Sequence, residues 1–240
     1  MKLINWTNIR LILMFGVVIV LFSFTSHRNG ERKLKKSTVV FVGENAIFVK
    51  PESVNKLLIE NKRDASSIKK EGLDLNKIEK ALNTQEMIEE SDVFVSIDGV
   101  LKAVVKQKTP IARIMNGNES FYIDYEGGKM PLSDNFTARV PLVSGDLNKE
   151  NNEEIAKLFR IIYDDAFLKK NIIAIEIMPN GSLKMLNRNF NYEIDFGRMI
   201  NVERKFNNYK AFFQKAVLDS SLYKYKKIDL RFTEQVVCTK

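Results

Sequence analysis

The polar and apolar positions of this chain change period several times along its 240 residues. The first pattern has no polar period at all. Leu11–Phe24 (LILMFGVVIVLFSF) is apolar and uncharged, and with its flanks from Thr7 to Ser26 it approaches the ~20 residues that cross hydrocarbon as a helix. Residues 9–26 are therefore read as a membrane anchor, with 1–8 as a short tail. Leu11, Ile12, Leu13, Phe15, Val17, Val18, Ile19, Val20, Leu21 and Phe22 form its apolar surface. A cleaved signal peptide needs small residues just before its cleavage site, and neither Phe24-Thr25-Ser26 nor Ser23-Phe24-Thr25 supplies them.

Beyond the anchor the periods are those of a folded α+β protein. Thr38–Val42 is a short apolar strand. Pro51 falls in the first turn of a helix whose stripe is Val54, Leu57 and Leu58. Asn61–Gly72 is polar and loop-like. Asp74 stands where a helix cap belongs, ahead of Leu75, Ile78 and Leu82 on one face. Ser91–Ile97 alternates as a strand, Asp98-Gly99 turns the chain, and Val100–Lys106 returns. Two helices on one face of a three-stranded sheet bury both stripes. This strand–helix–helix–strand–strand unit is taken as residues 37–113, with Lys108–Ile114 as the bridge into a second unit, 114–240.

In the second unit Phe121, Ile123 and Tyr125 alternate up to the Gly127-Gly128 turn, and Pro141–Gly145 closes the β segment. Glu150–Leu168 reads as one amphipathic helix, with Ile155, Leu158, Phe159, Ile162, Ala166 and Phe167 on a shared face. Ile172–Ile177 and Ser182–Met185 flank an Asn180-Gly181 turn, and Asn191–Phe196 is a further strand. Val202, Phe206, Tyr209, Phe213 and Val217 then mark a helix. Ile228, Leu230 and Phe232 alternate with Asp229, Arg231 and Thr233 in a closing strand.

Charge changes this picture in one place. The net charge is +8, yet residues 1–36 hold seven basic residues and one acid, while the other 204 residues hold 31 bases and 29 acids. The folded part is nearly neutral, which argues against a phosphate-binding groove and a nucleic-acid partner. Arg28, Arg32, Lys33, Lys35 and Lys36 form a basic collar in a juxtamembrane linker, 27–36. Such a collar attracts anionic headgroups at about 1 kcal/mol per residue and is equally an ordinary stop-transfer flank. More basic residues follow the anchor than precede it. The positive-inside rule governs short loops, however, so charge alone does not orient the large domain.

Catalytic constellations are missing from the sequence. The only histidine, His27, lies beside the anchor, so the ectodomain has no Ser–His–Asp or Cys–His pair. It carries no zinc spacing, Walker loop or nucleophile elbow. The pairs Glu89-Glu90, Glu153-Glu154 and Asp164-Asp165 read as solvated faces, because helical neighbours in sequence do not face each other. Lys205, Lys210 and Lys215 read as the solvated side of the last helix, and Cys238 as a small strand residue. No metal, cofactor or small-molecule substrate is expected.

The motifs in order resemble the bacterial cell-division family FtsQ/DivIB. "FVKPESVNKLL", "LDLNKIEKAL" and "VFVSIDGVLKAVVKQKTPIARI" look like its POTRA module. "YIDYEGGKMPL", "VPLVSG", "IDFGR" and "IDLRF" look like signatures of its terminal β domain. Phe196 stands in place of a common Leu, and Lys108 in place of a common acid. The resemblance implies an ectodomain outside the cytoplasmic membrane and a non-catalytic scaffold of the division machinery at midcell. It also implies FtsB- and FtsL-type bitopic partners, and through them the septal peptidoglycan synthases. It points to the last strand as the docking region. If that strand is a sheet edge, a partner segment can add to it. Arg231 would then pair with a partner acid, and Phe232 or Tyr223 would anchor the contact, beside Asp229, Thr233 and Glu234. The other class considered is a POTRA-type assembly or chaperone component for exported proteins. That role usually brings repeated modules and a β-barrel.

Overall fold

The computed structural model describes residues 6–43, 48–59, 64–70, 73–117, 119–145 and 152–240. Parts of three sequence expectations lie outside the described residues: the tail before Trp6, the ends of the Asn61–Gly72 loop, and the helix start at Glu150. The chain is α+β and divides into two compact units, one of residues 1–43 and 49–107, the other of 44–48 and 108–240.

The first unit begins with α1 (Trp6–Gly30), a helix long and apolar enough to cross a membrane, with no buried residue along it. It outruns the expected anchor at both ends and carries His27 and Arg28 in its last turn. After it come β1 (Lys36–Val42), α2 (Pro51–Leu58), α3 (Leu75–Asn83), β2 (Ile88–Val95) and β3 (Val100–Gln107). Pro51 opens α2, and the Asp74 carboxylate accepts the Lys77 N–H at 3.0 Å to cap α3. β3 lies in the middle of the sheet, parallel to β1 and antiparallel to β2. Val54, Leu58, Ile78 and Leu82 from the helices close over Val93, Leu101, Ala103 and Val105 from the sheet. The collar is less of a free linker than its charge suggests. Leu34 is buried, its N–H donates to Ile68 O at 3.1 Å, and Lys36 already belongs to β1.

The second unit is built on nine strands: β4 (Pro110–Asn116), β5 (Glu119–Asp124), β6 (Lys129–Met130), β7 (Leu142–Gly145), β8 (Ile172–Ile177), β9 (Leu183–Asn187), β10 (Glu193–Gly197), β11 (Lys227–Asp229) and β12 (Val237–Thr239). Their spatial order is β12-β11-β10-β9-β8-β7-β4-β5-β6. The segment expected as a bridge is thus a strand of this sheet. Its Pro110 starts the strand, where no ladder N–H is needed. β7 runs parallel to both β4 and β8, and β10 to β11. Parallel neighbours need long crossovers, and helices supply those from β7 to β8 and from β10 to β11. α4 (Asn152–Asp164) and α5 (Ala166–Asn171) make the first crossover, and α6 (Val202–Leu218) makes the second.

One row of side chains crosses eight strands in register: Phe121, Ile114, Val143, Ile175, Met185, Ile194, Ile228 and Cys238. The three helices lay Ile155, Phe159, Ile162, Leu168, Phe206 and Tyr209 into the same core. The expected single helix over 150–168 is broken at Asp165. Its carboxylate leaves the helical pattern to accept the N–H groups of Phe167 and Leu168, both at 3.0 Å, and so starts α5. Asp165 also binds Lys210 at 2.7 Å, so neither residue is a bare solvated charge.

Gly145 ends β7 with φ +103° opposite Ile177, and a Cβ there would lie 2.0 Å from the Ile177 carbonyl oxygen. Gly43 shares the backbone angle, φ +102°, with nothing within 4 Å of the same position. Gly145→Ala is expected to cost at least about 2 kcal/mol more than Gly43→Ala, because only the first adds overlap to backbone strain. Urea unfolding of the detergent-solubilised chain checks this, and equal losses would refute it.

Candidate functional site

The candidate site is the carboxy-terminal end of the large sheet. β11 is not its edge. It pairs with β10 on one side and with β12 on the other, so the chain's last residues fold back to cover it. The expected strand through Phe232 therefore stops at Asp229. The Asp229 carboxylate accepts the Arg231 N–H at 3.0 Å, a side-chain turn that takes the backbone out of the extended path. Leu230 stays buried, whereas Phe232 is 48% exposed. Residues 230–236 then loop over to β12. α6 holds this loop: the Asn208 amide donates to Thr233 O at 2.7 Å, and Arg204 pairs with Glu234 at 2.6 Å.

Charges concentrate beside this edge. The parallel register sets Asp195 of β10 next to Asp229 of β11, on the sheet face away from the core. Two adjacent carboxylates repel, and cations close around them. Lys227 reaches Asp195 at 2.8 Å, and Arg231 Nε reaches both Asp229 oxygens at 3.0 Å and Asp195 at 3.6 Å. The Arg231 guanidinium holds the Asp229 carboxyl below the usual carboxylate range. In the free chain Arg231 is thus already paired within the fold. Its stem passes over Gly197, where a Cβ would meet the Arg231 Cγ at 2.7 Å. The stretches "IDFGR" and "IDLRF", distant in sequence, interlock here.

Lys205 corrects the expectation of a solvated helix face. It is only 4% exposed, and its ammonium donates to Phe196 O at 2.9 Å and Arg198 O at 2.8 Å, 4.8 Å from the Phe196 ring centre. Burial pushes its pKa down, against the pull of Asp195 and Asp229. It ties the start of α6 to the end of β10. A groove of about 570 Å³ lies here, lined by Lys184, Asp195, Gly197, Lys205, Arg231 and Thr233 among others. Lys205 sits among aromatics on an otherwise amphipathic helix, so its sequence carries little signal of this role.

The other candidate residues lie elsewhere. Tyr223 is 79% exposed on a 3-10 turn, Ser221–Lys224, with its ring 5.1 Å from that of Phe190. It belongs to an aromatic group that includes Tyr192 and Tyr209, whose buried hydroxyls sit 2.8 Å apart. Cys238 is half-buried in β12 and packs against the core, and burial raises its thiol pKa. The anchor residues Leu11 to Phe22 lie along α1, exposed. Two further signature stretches also meet. Lys108 pairs with the buried Asp124 at 3.1 Å, and Asp124 accepts the Gly128 N–H at 2.7 Å.

These features define a class of protein: an α+β chain with, among the described residues, one apolar helix long enough to cross a membrane, and an open mixed sheet. The family model described as FtsQ/DivIB, C-terminal related, matches residues 109–239. The chain belongs to that family, one of division-associated scaffolds rather than catalysts. No curated protein matches it.

The Asp229–Arg231 pair makes stability acid-sensitive with a defined sign. A carboxyl held low in the folded state contributes stability that is full above its unfolded pKa of about 3.9 and is lost as pH falls through the folded value. Asp229→Asn should flatten the acid limb of a pH–stability curve below about pH 4. Parallel curves for parent and variant would refute the coupling.

Proposed function

We propose that this protein is a non-catalytic, single-pass scaffold of the division machinery. Residues 37–240 lie outside the cytoplasmic membrane in this reading, facing the periplasm, and the protein acts at midcell. The first unit serves as a POTRA module, supported by its strand–helix–helix–strand–strand order. The second unit docks FtsB- or FtsL-type bitopic proteins and through them helps control the septal peptidoglycan synthases. Family membership supports the division role.

One observation carries the docking mode. β12 ends the nine-stranded sheet, with β11 on one side and no strand on the other among the described residues. Its outer row of N–H and C=O groups is a template for an added strand. Main-chain bonds give affinity there, and nearby side chains give selectivity. Val237, exposed on the edge, and Phe232, with the Arg231 guanidinium 5.9 Å from its ring centre, supply apolar contact. Thr233 and Glu234 flank them. Strand addition thus moves from the Asp229–Phe232 stretch to the strand that follows it, with Arg231 shaping the site from within.

Arg231→Glu is a poor probe of docking, because it sets a third carboxylate beside Asp195 and Asp229. A benzophenone amino acid at Val237 tests the edge directly. In the native membrane it should crosslink a small bitopic division protein, whereas the same probe at Tyr223 should capture it several-fold less. Capture from Tyr223 with none from Val237 would overturn the edge reading.

A further inference from the structure

In the first unit, the β2–β3 hairpin carries a residue that the fold does not explain. Its loop is Ile97-Asp98-Gly99, closed by Ser96 N–H to Val100 O at 2.9 Å and Gly99 N–H to Ser96 O at 2.9 Å. Ile97 at the tip is fully exposed, at 102%. A three-residue hairpin loop has no need of an isoleucine there, and polar turn residues serve better.

The position of the tip gives it meaning. It is tied to the segment that leaves α1 by short, direct contacts. Glu31 N–H donates to His27 O in the last helical turn at 3.1 Å, Lys70 N–H to Arg32 O at 3.0 Å, and Lys35 N–H to Gly99 O at 2.8 Å. Glu31 also pairs with Lys69 at 2.7 Å. No slack linker separates the hairpin from the helix end. A cavity of about 330 Å³ lies between them, lined by Asn29, Arg32, Lys33, Lys35, Lys70 and Ile97 among others. Four of these are cationic. The one acid at the cavity, Asp98, is kept ionised below the usual range chiefly by its bond to Ser96.

Depth follows from helix geometry. The anchor ends at Ser26, and three residues at 1.5 Å each put Asn29 about 5 Å further along. A bilayer of 40–45 Å with a ~30 Å hydrocarbon core has a polar layer of roughly 5–8 Å on each side. The cavity therefore falls at headgroup depth, with an apolar tip beside it. Cations around an anion-sized space next to an exposed aliphatic side chain match an anionic phospholipid: phosphate in the cavity, acyl boundary against the isoleucine.

We propose that the Ile97 hairpin is a second membrane contact, which seats the first unit on the leaflet from which α1 emerges and holds an anionic phospholipid headgroup between Arg32, Lys33, Lys35 and Lys70. This rests on α1 crossing the membrane. It assigns a role to a hairpin outside the collar, and it fixes the first unit against the bilayer rather than leaving it on a flexible stalk.

The test uses the full chain as Cys238→Ser, Ile97→Cys, labelled at position 97 with the environment-sensitive dye NBD. The labelled chain is reconstituted into vesicles of phosphatidylcholine alone or of an equal mixture with phosphatidylglycerol. Flotation with the vesicles reports on α1 separately, and a chain that stays behind overturns the anchor and this proposal together. The proposal expects blue-shifted emission in the mixed vesicles, quenching by shallow lipid-borne nitroxides, and loss of both in the Arg32→Glu, Lys70→Glu variant. A chain that floats but keeps a water-like spectrum in both vesicles overturns the proposal. So does a blue shift that ignores lipid nitroxides, since it would mark a protein contact. An equal response in both vesicles would overturn the anionic site.

Discussion

The row Phe121, Ile114, Val143, Ile175, Met185, Ile194, Ile228 and Cys238 crosses eight strands on one face of the large sheet. Side chains alternate faces along a strand, so one residue of slip in any pairing would carry that strand's apolar members out to water. The row is what fixes register from β5 to β12. It also requires a cover, and α4, α5 and α6 provide it from the two helical crossovers. The packing of Phe159, Phe206 and Tyr209 follows from that requirement.

Once the row is set, the opposite face is set too. Lys184, Asp195 and Asp229 become neighbours on adjacent strands because Met185, Ile194 and Ile228 are neighbours underneath. The cluster of Lys227, Arg231 and two carboxylates is then a consequence of register, with its repulsion offset by pairing. Arg231 passes across a glycine that has no side chain to block it. The turn at Asp229 releases the chain from β11, loop contacts from Arg204 and Asn208 steer it, and β12 becomes the sheet's last strand. The open edge is therefore the product of a short return strand, the last of the sheet among the described residues.

The first unit obeys the same logic on a smaller scale, with a three-stranded sheet and two helices over one face. Its distinguishing constraint is at the membrane side. Backbone bonds from Arg32 and Lys35 to Lys70 and Gly99 tie the polypeptide leaving α1 directly into the domain. A collar held this way has less orientational freedom than a charged linker of the same composition.

Much of the fold was legible in the sequence because local period reports burial on one face. The apolar run of α1, the stripes of α2, α3 and α6, the alternation of β2 and β3, and the Asp74 cap could all be read in place, and the ordered motifs pointed to the family. What escaped were features whose causes lie far along the chain. Pro110–Asn116 looked like a connection because, although β5 follows it directly, its other partner, β7, begins only at Leu142. Val237–Thr239 is too short to show a period, so the edge was assigned one strand too early. Lys205 and Lys210 read as solvated because helical spacing does not reveal what lies over a face: carbonyls at and just beyond the end of β10 in one case, Asp165 in the other. Arg231 looked available because Asp195 joins Asp229 beside it only when β10 and β11 pair. Sequence by itself determined which residues must leave water and with what period. Tertiary structure alone decided which strands meet, and therefore which charges are paired and which edge stays open, because pairing joins residues that no local pattern connects.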